Sequence, residues 1–325
     1  MLRRQILFPS SLLAVIWAAA MPAAALDILI TNDDGWTANA RALYRTLEDE
    51  GHRVLLSVPC RNQSGQGAAL AFLRPIGPLT EDCVGGIAAA GAPGVGAAAD
   101  DPNVHYVDAT PVAALLYGLD VLAGPRWGGA PDLVISGPNE GNNTGQVNPS
   151  SGTVNNAVYA LNRGLPALAV SADGNTAGNE ALAAAVAQLV LRVVGELERQ
   201  TRFDRPLLPQ GAGLNINVPR FEQPDEALAL PFARAVVGTA STVTPRFAAN
   251  LAEDPLASSQ GIDAPLPGIS FTPGDLATAD PDSEAVLLSR GRIAVSVIEG
   301  NFGADPVARV RTLARIGGLF RPGQH

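Results

Sequence analysis

Residues 26–59 read LDILITNDDGWTANARALYRTLEDEGHRVLLSVP, and the fold is decided there. Leu26–Thr31 is a short apolar run, the pattern of a parallel strand buried on both faces. Asn32-Asp33-Asp34-Gly35 follows as a turn. Ala38–Glu50 is an amphipathic helix with Ala42, Leu43 and Leu47 on one side, and Gly51 stands where a helix stops. Arg53–Val58 is a second apolar run, closed by Pro59. Strand, helix and strand within about 30 residues form the βαβ unit of a doubly wound sheet.

Downstream the alternation continues. Val112–Leu122 reads as a helix, Asp132–Ser136 as a buried strand and Gly137–Ser150 as a long polar loop. Ser151–Asn162 is helical, Ala167–Ser171 a strand, Asn179–Arg199 a long helix and Leu214–Val218 the last core strand. Gly85–Ala99, rich in Gly and Ala, has little to pack and reads as a mobile surface insert. The expected organisation is an α/β core over residues 26–220 with a mostly parallel, doubly wound sheet. A β-rich extension over 221–303 follows, with strand-like runs at Arg234–Val237 and Ile293–Ile298. Residues 304–325 are a helix (Val307–Ile316) and tail.

Composition narrows the chemistry. The chain has 325 residues, and its 22 basic residues are all arginine. Without lysine there is no Walker-A loop and no Schiff-base chemistry. Three His and two Cys are too few for a His-rich zinc site or an iron–sulfur cluster. What remains is carboxylates, amides, hydroxyls and backbone N–H groups, which suit hard cations such as Mg²⁺ or Mn²⁺. A net charge of −9 speaks against a nucleic-acid polymer as partner. It leaves room for a small anion held by a nest of backbone amides.

The N-terminus reads as a cleavable signal peptide over residues 1–25. Arg3 and Arg4 begin it, Ile6–Trp17 is its apolar region, and Ala23-Ala24-Ala25 offers a cleavage site. An uncleaved anchor is the alternative, opposed by Pro9, Ser10, Ser11 and Pro22. The expected location is periplasmic or secreted, with no stable membrane anchor. In an oxidising compartment Cys60 and Cys83 become a candidate disulfide, the alternative being two free thiols.

In an open parallel sheet, ligands bind beyond the carboxyl ends of the strands. Three strand ends carry polar residues: Asn32-Asp33-Asp34-Gly35, Arg61-Asn62-Gln63-Ser64-Gly65 and Gly137-Pro138-Asn139-Glu140-Gly141. Taken alone, Asp-Asp-Gly is better explained by a turn with one Asp capping the next helix. With two more polar strand ends it reads as a cation site, since adjacent carboxylates repel until a cation separates them. Ser151-Gly152-Thr153 opens a helix after a Gly/Asn-rich loop, which suits an anion and equally an ordinary N-cap. A cation site beside a phosphate-sized anion site points to a phosphomonoester.

In order and spacing, Ile28–Gly35 (ILITNDDG), Arg61–Gly65 (RNQSG), Ser136–Gly141 (SGPNEG) and Ser151–Val154 (SGTV) resemble the SurE family of survival-protein nucleotidases. The resemblance covers most of residues 26–220 and, more loosely, 282–303. It implies a Rossmann-like sheet, a β-rich extension used in dimerisation, and phosphatase activity on nucleoside 5′- or 3′-monophosphates that depends on one divalent cation, Mg²⁺ or Mn²⁺. Carried over, the metal ligands are Asp33, Asp34, Ser64 and Asn139. Asn32, Gly137, Asn139, Ser151, Gly152 and Thr153 bind the phosphate. Asp33 and Asp34 are catalytic, with Asp33 orienting the attacking water. The partners implied are a small phosphomonoester, such as a nucleoside monophosphate, and further copies of the chain in a homodimer or higher homo-oligomer.

Departures from the family pattern are Cys60 before Arg-Asn, Glu140 in place of a small residue, and Gln146–Ser150 (QVNPS) before Ser-Gly-Thr. With Trp36 and the export signal they resemble the secreted acid-phosphatase branch. A broad acid phosphatase without base preference is therefore one alternative. A non-catalytic periplasmic protein that binds anions or nucleotides is another.

Overall fold

The computed structural model describes residues 25–201 and 206–316. All but the last residue of the expected signal peptide lies outside them. The strands are β1 (Asp27–Thr31), β2 (Arg53–Pro59), β3 (Val95–Ala97), β4 (Val104–Val107), β5 (Leu133–Glu140), β6 (Ala167–Ala172), β7 (Ala212–Val218), β8 (Phe232–Ala235), β9 (Val243–Ala248), β10 (Gly268–Pro273) and β11 (Ile293–Glu299). The helices are α1 (Ala38–Asp49), α2 (Pro111–Tyr117), α3 (Ala123–Trp127), α4 (Gly152–Asn162), α5 (Glu180–Thr201), α6 (Pro224–Ala229), α7 (Pro255–Ser259), α8 (Glu284–Ser289) and α9 (Pro306–Arg315).

Among the described residues the main sheet has nine strands in the order β3-β4-β2-β1-β5-β6-β7-β11-β8. From β4 to β7 they run parallel. The chain builds outward from β1 through β2 to β4, then returns to lay β5 against the other side of β1. That reversal of strand order opens a crevice at the carboxyl ends of β1 and β5. The outcome is the expected α/β, mostly parallel sheet.

Apolar runs without alternation form these strands because helices cover both faces. Ile28, Ile30, Val54 and Leu56 lie in one core with Leu43 and Leu47 of α1 and Val186 and Leu189 of α5. Leu29, Leu55 and Val134 lie in a second with Leu115 of α2 and Val154 and Ala157 of α4. The largest fully buried side chains are all Ile and Leu, as a chain with 5% aromatic residues requires.

Four local expectations need correction. The helix expected over Val112–Leu122 is α2, a π-helical turn over Gly118–Leu122, then α3. The polar loop starts later than Gly137, because β5 continues to Glu140 through a register irregularity between Ser136 and Asn139. Gly85–Ala99 is a folded edge of the sheet. Cys60 and Cys83 are bridged with Cα atoms 4.6 Å apart, Cys83 and Ile87 are buried, and β3 pairs antiparallel with β4. Finally, Leu214–Val218 does not end the sheet. β11 pairs antiparallel with β7, and β8 then joins β11.

Candidate active site

The turn after β1 places two carboxylates at the crevice. Asn32 is fully buried; its amide donates to the Gly35 carbonyl (2.7 Å) and accepts from the Gly35 N–H (3.0 Å), so its side chain shapes the turn. Asp33 and Asp34 are each 3% exposed. The Thr153 hydroxyl donates to Asp33 Oδ1 at 2.6 Å, and the N–H groups of Gly152 and Thr153 also serve the carboxylate. Asp33 therefore rests on the positive end of α4. Asp34 accepts from Asn62 Nδ2 on Oδ1 and from the Glu140 N–H on Oδ2, both at 2.9 Å. Burial raises Asp33 above the ordinary carboxylate range, against the pull of Thr153 and Gly152. Asp34 is pushed up to about 7, first by burial and then by the charge of Asp33.

Two further strand ends close over this pair. The Gln63 N–H donates to the Asp33 carbonyl (2.7 Å), and the Ser64 N–H to Asn62 Oδ1 (2.9 Å). These bonds seat Arg61–Gly65 across the acids and leave Ser64 exposed at the mouth. The bridge to Cys83 fixes the residue just before this segment, and Arg61 pairs with Asp108 at 2.7 Å. From β5, the Glu140 N–H contact brings the Asn139–Glu140 peptide onto Asp34. Asn139 donates to the Gly141 carbonyl (2.7 Å), while its buried Oδ1 has no donor. Gly137 stands at φ +116°, and a Cβ there would lie 2.2 Å from the Val170 carbonyl oxygen.

The start of α4 completes the group. Ser151 Oγ accepts from the Val154 N–H at 3.0 Å, the side-chain cap that fixes the helix N-terminus. A Cβ on Gly152 would come within 2.6 Å of Asp33 Cβ, so only glycine lets the carboxylate approach the turn this closely. Asn156, one turn into α4 and fully buried, donates to Thr31 Oγ1 and to the Asn32 carbonyl, both at 3.3 Å.

The structure thus gathers Asp33, Asp34, Ser64, Gly137, Asn139, Ser151, Gly152 and Thr153 around one crevice, with the Asn32 side chain underneath. Three contributors escaped the sequence reading: Asn62 as a partner of Asp34, Asn156 as the strut between α4 and β1, and Glu140 as a like charge near Asp34. Asn62 sat inside a quoted motif, and Asn156 in an Asn-Asn pair within a helix of otherwise apolar character.

The residues fit a hard divalent cation. Among the described residues neither Asp33 nor Asp34 has an ion-pair partner, and Asn139 Oδ1 is a buried oxygen without a donor. A cation would satisfy all three groups at once. No cluster of three or more His, Cys, Asp or Glu gathers among the described residues, so the donors are two carboxylates, an amide oxygen and a hydroxyl.

The chain is similar to known proteins. The chain is 36% identical over 203 residues to an acid phosphatase of Yarrowia lipolytica, an alignment covering 59% of this chain and 56% of that protein. It is 35% identical over 196 residues to the 5′-nucleotidase SurE of Geobacter metallireducens, covering 60% and 65%. It is 30% identical over 297 residues to the 5′/3′-nucleotidase SurE of Serratia proteamaculans, covering 90% and 99%. The chain thus spans less than two thirds of the first two relatives. The crystal structure of the SurE protein from Aquifex aeolicus superposes with a TM-score of 0.64 at 22% identity, covering 89% of this chain and 99% of that one, a likeness of fold. Residues 28–240 match the family model described as survival protein SurE, and the chain belongs to that family.

Proposed function

We propose that this protein is a phosphomonoesterase that depends on a divalent cation and hydrolyses nucleoside 5′- or 3′-monophosphates to nucleoside and phosphate. The observation that carries the reading is the buried acid pair without a counter-charge among the described residues, set against a helix N-terminus at the point where strand order reverses. Asp33, Asp34, Ser64 Oγ and Asn139 Oδ1 would hold the cation, Mg²⁺ or Mn²⁺, which when bound supplies positive charge to polarise the phosphoryl oxygens.

The chain's own groups do the rest. The dipole at the start of α4 and the Ser151 hydroxyl, which accepts from the Val154 N–H and keeps its own hydrogen to donate, hold the phosphoryl group, while Gly152 and Thr153 seat the Asp33 carboxylate beside it. Asp33 is kept in place by Thr153 and lifted above its ordinary pKa, which suits it to orient a water and accept its proton. The water oxygen bonds to phosphorus, the bond to the leaving oxygen breaks, and that oxygen takes a proton from solvent.

A second reading is a broad acid phosphatase without base preference. It is favoured by the likeness to the Yarrowia acid phosphatase and by QVNPS in the segment leading to the anion site. Phosphate release from nucleotides and simple phosphomonoesters, with Mn²⁺, Mg²⁺ or EDTA, tests both. Asp34→Ala and EDTA are each expected to lower turnover by about a hundredfold or more. Activity indifferent to both would overturn the cation reading, and equal rates on all substrates would favour the acid phosphatase.

Two further parts belong to the reading. The pattern of residues 1–25 and the Cys60–Cys83 bridge support export to a periplasmic or extracellular compartment. A homodimer is supported by apolar side chains left exposed in the C-terminal region, among them Phe247 (70%) and Ile269 (64%) on the β9–β10 pair and Val310 (66%) on α9.

A further inference from the structure

A cavity of about 320 Å³ lies between residues 70–78 and the segment 108–113 that leads into α2. Leu70, Pro75 and Ile76 give it an apolar wall, and Arg74, Asp108 and Thr110 a polar one. That volume is at the low end for ligand sites and suits part of a substrate rather than a whole nucleotide.

Both walls continue the candidate active site. The first runs on from Arg61–Gly65, and the Gly67 N–H donates to the Ser150 carbonyl at 3.0 Å, next to Ser151. The second includes Pro111, which packs on Gly152: a Cβ on that glycine would lie 2.8 Å from Pro111 Cγ. The cavity therefore flanks Ser151–Thr153. Toward β7 the chain itself fills the approach. Residues 141–150 run from β5 to Ser151, and Asn143, buried among them, is held by β7. Its N–H donates to Asn217 Oδ1 (2.9 Å), and its carbonyl accepts from Asn217 (2.9 Å) and Asn215 (3.1 Å). Asn215 donates in turn to the buried Glu284 (2.7 Å).

The cavity is also built in advance of any ligand. Beyond residues 70–78, the Leu79 N–H donates to the Ala92 carbonyl and the Gly91 N–H to the Leu79 carbonyl, both at 2.8 Å. Gly77 packs on Gly94, where a Cβ would come within 2.0 Å of the Gly77 oxygen, and the Gly94 carbonyl accepts from the Asp108 N–H (2.7 Å). In a chain of net charge −9, the polar wall still carries an unbalanced positive charge. Asp108 is compensated by Arg61 Nη2 at 2.7 Å, whereas Arg74 has no acidic partner and no hydrogen bond among the described residues. Leu73, just before it, is the one non-glycine residue with positive φ (+57°) among the described residues. Such conformations persist where their surroundings enforce them, and they cluster at ligand sites. A guanidinium without a partner in a cleft gathers anions and suits phosphate in particular.

We propose that this cavity receives the leaving group of the substrate and that Arg74 binds a second phosphate on it, so that the preferred substrates are bisphosphates of a nucleoside or a sugar. This rests on the phosphomonoesterase reading and names a substrate class for it. The bonds made and broken are the same: the water oxygen bonds to phosphorus in the crevice, the bond to the leaving oxygen breaks, and that oxygen takes a proton from solvent. The phosphate on Arg74 keeps all its bonds and departs with the alcohol.

The test measures initial rates with Mn²⁺ for wild type, Arg74→Gln and Arg74→Lys on matched esters. Adenosine 3′,5′-bisphosphate is set against 5′-AMP and 3′-AMP, and fructose 1,6-bisphosphate against fructose 6-phosphate. Calorimetry on EDTA-treated protein gives the Kd of the same compounds without turnover. Wild type is expected to favour the bisphosphate of at least one set by about tenfold in kcat/KM and in Kd, the first mostly through KM. Because Arg74 is exposed, the preference is expected to shrink as salt rises from about 50 to about 300 mM. In Arg74→Gln it is expected to fall to about one, and in Arg74→Lys, which keeps the charge but not the fork, to be kept in part. A preference in one set alone identifies the leaving group as nucleoside or sugar. A wild type without preference in either set, or a preference that Arg74→Gln retains in full, overturns the proposal and leaves the phosphomonoesterase reading standing. Wild type that hydrolyses none of these esters overturns both.

Discussion

Asp33 and Asp34 are stabilised by donors on every side and still sit above their ordinary range, because burial and mutual repulsion outweigh those bonds. Without a cation this makes them a cost to the fold that depends on pH. The unfolded chain releases the Asp34 proton near 3.8, whereas the folded chain holds it up to about 7, so stability falls across that interval as pH rises. A cation at a hundred times its Kd adds about 2.7 kcal/mol, and it binds the deprotonated pair. Mn²⁺ is therefore expected to raise the unfolding temperature above its EDTA value more at pH 7.5 than at pH 5. Equal shifts at both pH values would argue against the acid pair as the cation site. These two residues were legible from the outset, since Asn-Asp-Asp-Gly after an apolar run puts charge at a strand end. Asn139 Oδ1 was legible only as one oxygen of a motif; that it lacks a donor is a fact of three dimensions.

Among the elements, β1, α1 and β2 followed from local rules: apolar runs, an apolar helix stripe and a glycine stop. The second half of β5 did not. Gly137 and Pro138 are poor strand residues, and only pairing with β6 beyond the register irregularity makes strand of them. The edge around β3 was illegible for a different reason. Its small side chains carry no periodicity, and its order comes from the Cys60–Cys83 bridge and from bonds such as Tyr106 Oη to the Pro93 carbonyl (2.9 Å). With a sequence separation of 23, that bridge contributes about 3 kcal/mol. A Cys60→Ser, Cys83→Ser double variant is expected to lose that much in reversible unfolding. It is also expected to bind Mn²⁺ more weakly, because the segment carrying Ser64 begins at Cys60. Calorimetric titration showing wild-type Mn²⁺ affinity would separate the bridge from the site.

At the scale of the whole molecule, the C-terminal third divides its work. β11 and β8 enlarge the main sheet, α8 buries Glu284 against Asn215 of β7, and the β9–β10 pair and α9 carry exposed apolar side chains. Sequence alone marked this third as β-rich but not where its strands would pair, because register against a distant β7 leaves no local trace. If those apolar side chains meet a second copy, sedimentation is expected to report a dimer, and Phe247→Asp with Val310→Asp to shift it to monomer. A monomeric wild type at micromolar concentration would set the homodimer aside.

The Asn143–Asn215–Glu284 chain of contacts has a temporal meaning as well. Asp33 lies near the start of the polypeptide, while the side chains that hold Asn143, in the segment leading to Ser151, lie far downstream, Asn215 and Asn217 on β7. During synthesis the first strands and helices pack long before that support exists. A nascent or truncated chain that stops short of β7 thus presents the acid pair beside a segment 141–150 without its Asn215 and Asn217 supports. On the phosphomonoesterase reading, competence arrives only after β7 has been made.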